Sequence, residues 1–189
     1  IVLVTSAGDL TVSEGADTGD DLGVLATGVG YILLFSEVDN VVVNAGVESG
    51  SGHISVLGQV DVTQAALGDI STMGTGTIDV EAITGAIIMA DDAQASTADA
   101  NIRYQAATDL ALGGIDAGTG NVSLTATAGH ITDNGDTHVE VVAAELRLMA
   151  GGNIGEAAGS NNGHLDTSVD KITADASGSG GIFVTNNKA

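Results

Sequence analysis

Short stretches in which aliphatic and polar residues alternate recur along the whole chain, each after a small residue. The unit is Gly-x-aliphatic-x-aliphatic, as in Gly52-His53-Ile54-Ser55-Val56 and Gly76-Thr77-Ile78-Asp79-Val80. Alternation with period two and many β-branched residues predict short strands. Nine copies, spaced by 17 to 26 residues, begin at Gly8, Gly30, Gly52, Gly76, Ala100, Gly120, Thr137, Gly163 and Gly180.

A second aliphatic piece follows most units after eight to eleven residues, for example at residues 41–43, 87–89 and 110–112. Gly, Asn, Asp and Ser clusters, which favour turns, separate the strand-like pieces. Two or three short strands in each repeat are typical of a parallel β-helix, in which every repeat forms one coil of a solenoid.

The predicted fold is therefore all-β, a right-handed parallel β-helix of about nine coils of 17–26 residues. Equivalent residues of successive coils would stack about 4.8 Å apart and form aliphatic columns inside. The first expected inward column is Leu10, Ile32, Ile54, Ile78, Ile102, Val122, Val139, Leu165 and Ile182. The second is Val12, Leu34, Val56, Val80, Tyr104, Leu124, Val141, Thr167 and Val184. An antiparallel β-sandwich is the alternative, because it too uses short strands and glycine turns.

Both ends of the sequence are strand-like, at residues 1–4 and 182–184. We therefore expect residues 1–189 to be a single β-helical repeat segment taken from a longer chain.

Composition removes several classes of protein. The chain has 25 Asp and Glu against four Lys and Arg, a net charge of −21, so binding to nucleic acid is not expected. It has no Cys, which excludes disulfides and thiolate metal sites. No apolar run approaches the roughly 20 residues of a membrane span, so membrane insertion is not expected. Only four aromatic residues are present (two Tyr and two Phe), so the core must be narrow and aliphatic.

Several phrases resemble the repeats of filamentous-haemagglutinin-like giant surface adhesins of bacteria. They are Gly120-Asn121-Val122-Ser123-Leu124-Thr125-Ala126, Gly129-His130-Ile131-Thr132-Asp133-Asn134-Gly135-Asp136 and Leu146-Arg147-Leu148-Met149-Ala150-Gly151-Gly152-Asn153-Ile154-Gly155. A fourth is Leu165-Asp166-Thr167-Ser168-Val169-Asp170 leading to Gly180-Gly181-Ile182-Phe183-Val184. The resemblance is clearest over residues 98–189. It implies a secreted, extracellular β-helix that serves as an adhesin shaft at the cell surface, and it brings no catalytic residues.

Acidic turn clusters are the candidate metal ligands, because carboxylate and turn carbonyl oxygens are what Ca²⁺ prefers. The candidates are Asp17, Asp20, Asp21, Asp133 and Asp136. None forms a complete Ca²⁺-binding loop, and solvated turns explain them as well. Ca²⁺ is thus the only cofactor that the sequence suggests.

Two further sets of residues share a repeat position. His53, His138 and His164 each stand just before an inward aliphatic residue. His138 and His164 would lie on consecutive coils, which suggests either a metal site between these two or an outward polar column. Asp79 and Arg103 share the outward position on consecutive coils, so we expect a surface ion pair between them.

The functional hypothesis is a structural shaft or filament segment without chemistry of its own, whose partners are neighbouring repeats or copies stacked end to end. The first alternative is an adhesion or glycan-binding module that recognises a host or cell-surface ligand. The second is a polysaccharide-degrading β-helix enzyme using carboxylates such as Asp91 with Asp92. Nucleophile and phosphate-loop motifs are missing from the sequence, so no enzyme activity is expected.

Overall fold

The computed structural model describes residues 1–16, 19–134, 138–156, 163–178 and 180–188. Twenty strands form there and every strand pair is parallel, so the chain is a β-solenoid and the antiparallel sandwich is wrong. No helix that could cross a membrane is found in the described part of the chain. The strands are β1 (Val2–Thr5), β2 (Leu10–Val12), β3 (Leu22–Ala26), β4 (Ile32–Ser36), β5 (Val41–Val43), β6 (Gly46–Ser49), β7 (Ile54–Gly58), β8 (Val62–Gln64), β9 (Ile70–Thr72), β10 (Ile78–Ala82), β11 (Ile87–Met89), β12 (Gln94–Thr97), β13 (Ile102–Ala106), β14 (Leu110–Leu112), β15 (Gly114–Asp116), β16 (Asn121–Ala126), β17 (Ile131–Asp133), β18 (Val141–Ala150), β19 (Leu165–Ala176) and β20 (Val184–Asn186).

Each of the first six turns of the solenoid contributes one strand to each of three faces. Face one runs β1-β4-β7-β10-β13-β16, face two runs β2-β5-β8-β11-β14-β17, and face three runs β3-β6-β9-β12-β15. The long strands β18 and β19 pass from face three to face one, so their first halves extend face three and their second halves extend face one.

Six turns carry a strand on all three faces, from β1–β3 to β16–β18, and β18–β20 continue the stack. The expected number of coils, nine, was too high. The right-handed sense of the helix stays a prediction.

The central part of the predicted inward columns is confirmed. Ile32, Ile54, Ile78, Ile102 and Val122 are in register on face one and are at most 2% exposed. The adjacent column is confirmed at Leu34, Val56, Val80, Tyr104 and Leu124, which are fully buried. This narrow aliphatic interior accommodates a single buried aromatic side chain, Tyr104.

Both ends of those columns were assigned to the wrong face. Leu10 and Val12 pair with Val41 and Val43 on face two. After Val122 the column continues through Leu146 and Ile172.

Val141, Leu165, Thr167 and Val184 instead belong to face three. Val139 and Ile182, expected inside, are 38% and 47% exposed. The error arises because all three faces use the same alternation, and the pattern alone does not distinguish a new coil from the next face.

At three units of face one, the opening glycine is explained by the close approach of neighbouring coils. A Cβ on Gly52 would collide with the carbonyl oxygen of Gly30, and one on Gly76 with that of Gly52. Gly120 meets the carbonyl oxygen of Ala100 in the same way. The repeated glycine therefore provides the space in which one coil rests on the previous one.

Candidate functional site

Polar side chains at the corner before face two bind the backbone of the next coil. The Oδ1 atom of Asn40 accepts the N–H of Asp61 at 3.0 Å, and Asp61 Oδ1 accepts the N–H of Ala86 at 2.7 Å. These residues each precede the first residue of a face-two strand, so they stack in one column. We call this column of side-chain acceptors the corner ladder.

The corner ladder resumes after Ala86, which has no polar side chain. Asp109 Oδ1 accepts the N–H of His130 at 2.8 Å, and His130 Nδ1 accepts the N–H of Asn153 at 2.8 Å. Asn153 Oδ1 accepts the N–H of Gly181 at 3.0 Å. Because Nδ1 of His130 accepts, it carries no proton in this arrangement. The corner ladder thus supplies acceptors to turn N–H groups that strand pairing leaves without one.

The other two corners use the same device. Before face one, His53 Nδ1 accepts the N–H of Thr77 at 3.0 Å, and Asn101 Oδ1 accepts that of Asn121 at 3.0 Å. Before face three, Asp69 Oδ1 accepts the N–H of Gln94 at 2.9 Å. Many of the polar residues beside the aliphatic runs therefore have a structural role, because they bind the backbone of the next coil.

The three histidines that were expected to share one position do not share one column. His53 stands before face one, whereas His164 stands directly before Leu165, where β19 lies on face three. The Nδ1 atom of His164 lies 3.3 Å from Thr185 Oγ1, and its ring stacks with Phe183 at a centroid distance of 6.2 Å. These contacts of His53 and His164 fit an outward polar position, and the metal pair of His138 with His164 stays a prediction.

A small acidic cleft opens beside face three, with a volume of about 210 Å³. Asp91 and Asp92 follow β11, Asp133 ends β17, and Glu140 immediately precedes β18. The cleft is lined by these four residues together with Gln94 and His138, among others. The topology therefore brings together the two carboxylate clusters around residues 91 and 133 that the sequence places far apart.

Glu140 is the most unusual group of the cleft because it is only 3% exposed. Its Oε2 atom accepts the backbone N–H of Asp166, so Glu140 caps the next coil as Asp69 does. Burial raises the pKa of Glu140 to about 8, and the nearby carboxylates of Asp133 and Asp166 also raise it. The buried position therefore favours the protonated form of Glu140.

The structure places the candidate Ca²⁺ ligands in separate regions. Asp20 and Asp21 lie in the exposed turn before β3, where Asp20 Oδ1 accepts the N–H of Leu22 at 3.1 Å. Asp133 lines the acidic cleft. Asp17 and Asp136 lie outside the described residues. Within the described ranges, no group of three or more His, Cys, Asp or Glu side chains is arranged to hold a metal ion, and Ca²⁺ binding stays a prediction.

The expected ion pair between Asp79 and Arg103 is confirmed. The two residues are directly opposite on β10 and β13, with 2.7 Å between Asp79 Oδ1 and Arg103 Nε. Arg103 also donates to Glu81 at 2.9 Å and to Gln105 at 2.7 Å. Hydrogen bonding to Asp79 raises the pKa of Arg103. The side chains of Arg103 and Asp79 are about 40% exposed, so a contribution of about 0–1 kcal/mol is expected.

Glu140 is a residue of the cleft that the sequence pattern does not identify as a site residue. The available signal was its position directly before the aliphatic alternation that begins at Val141, the same position that Asp69 occupies before Ile70. Its burial could not be inferred from that signal, since it depends on how the coil containing Asp166 covers it.

Comparison with known proteins adds no relative: no family model, curated protein or solved structure matches this chain.

Proposed function

We propose that the chain is a structural segment of an extracellular shaft or filament, without chemistry of its own. The observation that carries this proposal is the parallel stack of coils in the described part of the chain, in which the interior is an aliphatic column and polar side chains bind successive coils at the corners. Such a stack transmits load along its axis through backbone hydrogen bonds, and each coil contacts mainly its neighbours.

The cell-surface adhesin class is supported by the phrases that resemble filamentous-haemagglutinin-like repeats. The phrase at residues 120–126 contains all of β16, and the phrase at residues 146–155 begins with the last five residues of β18. These pieces are adjacent on face one, where Val122 pairs with Leu146. A secreted, surface-attached protein with a β-helical shaft is the context that this resemblance suggests.

Neighbouring repeats or further copies, stacked end to end, are the proposed partners. Within the residues that the structure describes, strand β1 pairs with β4 alone. Leu33 and Glu37 donate to the carbonyl oxygens of Ile1 and Thr5, so the alternate residues Val2 and Val4 direct their backbone groups to the open edge. Their side chains are 68% and 49% exposed. An open edge of this kind pairs readily with another strand, and stacking of identical copies does not close on itself.

The test is concentration-dependent assembly of the protein, followed by sedimentation velocity and electron microscopy. We expect rods that lengthen with concentration. Val2→Pro with Val4→Pro removes two N–H groups of the open edge and should prevent elongation. Val2→Ala with Val4→Ala is the matched control, because it shortens the same side chains but keeps both N–H groups, and it should still elongate. Elongation of the proline variant to wild-type length, or no elongation of the wild type, would contradict stacking through β1.

The polysaccharide-degrading alternative has less support. A glycosidase needs a protonated carboxyl group in contact with the glycosidic oxygen and a second carboxylate nearby. Glu140 has the raised pKa of such an acid, but it is buried and bound to the backbone of Asp166. Its arrangement favours a structural role in the corner.

A further inference from the structure

Three of the four basic residues of this acidic chain lie side by side on face one. Arg103, Arg147 and Lys171 line one open groove of about 560 Å³. The pairing register places Arg103, Ser123, Arg147 and Thr173 in a single outward column on successive coils. Arg103 and Arg147 are therefore two coil steps apart, roughly 10 Å.

Two of these three cations already have carboxylate partners. Arg103 binds Asp79 and Glu81, at 2.7 and 2.9 Å, and Lys171 Nζ lies 2.6 Å from Glu145 Oε1. The side chain of Arg147 is exposed, and its guanidinium makes no hydrogen bond or ion pair with any residue in the described part of the chain. An unpaired guanidinium is notable in a protein with 25 carboxylates.

Polar side chains flank Arg147. Ser123 and Thr173 are its register neighbours on the adjacent coils, and Asn101 and Asn121 line the same groove. The groove also holds the carboxylates Asp79 and Glu145, which are bound to Arg103 and Lys171. The hydroxyl and amide groups donate and accept hydrogen bonds, as the hydroxyls of a sugar do. A guanidinium beside them fits one carboxylate, which it can bind with two parallel hydrogen bonds.

We propose that this groove binds a glycan bearing an isolated acidic sugar, with its carboxylate on Arg147 and its hydroxyls on the adjacent Ser, Thr and Asn side chains. The net charge of −21 favours a ligand with a single carboxylate over a polyanion, because the repulsion between protein and ligand grows with the negative charge of the ligand. The site is independent of the shaft role, since it uses only outward side chains of face one.

The test is a ligand-observed NMR titration of the full chain with 3′-sialyllactose, which has one carboxylate, and with neutral lactose as the matched sugar. We expect millimolar binding of sialyllactose, at least about tenfold weaker binding of lactose, and weakening by added salt. Arg147→Gln should weaken sialyllactose binding by about tenfold or more, and Arg147→Lys by less, because Lys lacks the planar fork. Lys188→Gln removes one positive charge outside the groove and should leave binding unchanged.

Other outcomes would overturn the proposal. They are an absence of binding at millimolar sialyllactose, equal binding of lactose, or an unaltered affinity in Arg147→Gln. Tighter binding of a short Glu-containing peptide than of sialyllactose would show that the groove recognises acidic peptides instead. Because Arg147 is exposed, its variants should keep the wild-type circular dichroism spectrum and unfolding midpoint.

Discussion

The hydroxyl of Tyr104 donates a hydrogen bond to Oε1 of Gln64 across the interior of the solenoid, at 3.1 Å. Gln64 in turn donates from Nε2 to the carbonyl oxygen of Gln94 at 2.8 Å. The network connects face one, face two and face three through β13, β8 and β12. Burial raises the pKa of Tyr104, so its hydroxyl remains protonated and able to donate.

Tyr104→Phe should lower the free energy of unfolding by about 1–3 kcal/mol, because it leaves Oε1 of the buried Gln64 without its donor. Urea unfolding followed by circular dichroism measures the change. Tyr31→Phe removes the same hydroxyl from a side chain that is 64% exposed and should have little effect. Equal effects of the two substitutions would show that the internal hydrogen bond contributes nothing.

The corner ladder predicts that replacing Asp61, which belongs to it, lowers the free energy of unfolding more than replacing Glu37, which does not. Asp61→Ala removes the acceptor of the Ala86 N–H and should cost about 1 kcal/mol of stability. Glu37→Ala makes the same change in charge at an exposed position and should be neutral or slightly stabilising in this acidic chain. The unfolding midpoints in urea give the comparison, and a Glu37→Ala variant as unstable as Asp61→Ala would contradict it.

Glycine substitutions test the close stacking of the coils. Gly52→Ala places a methyl group against the carbonyl of Gly30 and should destabilise the protein by about 1–3 kcal/mol. Gly15→Ala is the control, because a methyl group there meets no atom within 4 Å. Thermal and urea unfolding should separate the two variants. If Gly52→Ala is as stable as Gly15→Ala, the coils do not approach as closely as described.

Glu140 predicts a pH dependence of stability. Its pKa is raised in the folded state to about 8 from an ordinary value of 4.5, so the folded protein binds the proton more tightly. The resulting stabilisation is complete below about pH 4.5, is lost as the pH rises towards 8, and is absent above that. Its full size is about 1.4 kcal/mol for each unit by which the folded and unfolded pKa values differ.

Glu140→Gln should remove this part of the pH dependence, because the amide oxygen can still accept the N–H of Asp166 but does not ionise. The variant should match the wild type near pH 5 and exceed its stability near pH 9. Glu37→Gln, which removes an exposed charge, controls for the general effect of net charge. If the difference in free energy of unfolding between wild type and Glu140→Gln were the same at every pH, the raised pKa of Glu140 would be refuted.

The parts of the fold that sequence could predict are those in which alternation and spacing agree. The column Ile32, Ile54, Ile78 and Ile102 follows from both signals, and the pair Asp79–Arg103 follows from the resulting register. The assignment failed at Val139, where the true continuation of face one is Leu146. Strand β18 passes from face three to face one without an intervening cluster of turn residues. The sequence therefore does not show where one face ends and the next begins.

The candidate site was less predictable than the fold. The clusters at Asp91, Asp92 and Asp133 were recognised, but their meeting in one cleft depends on the coil geometry. The isolation of Arg147 likewise depends on which carboxylates are taken by Arg103 and Lys171 in three dimensions. The meeting of these carboxylates and the absence of a partner for Arg147 both depend on which residues of successive coils lie side by side. A short sequence motif does not contain that information.

Cryo-electron microscopy of the assembled protein, with the power spectrum of its filaments, tests the structural role most directly. Stacked coils that serve as a shaft predict rods with a strong layer line at about 4.8 Å along the axis. Compact, discrete particles without that repeat would contradict the shaft.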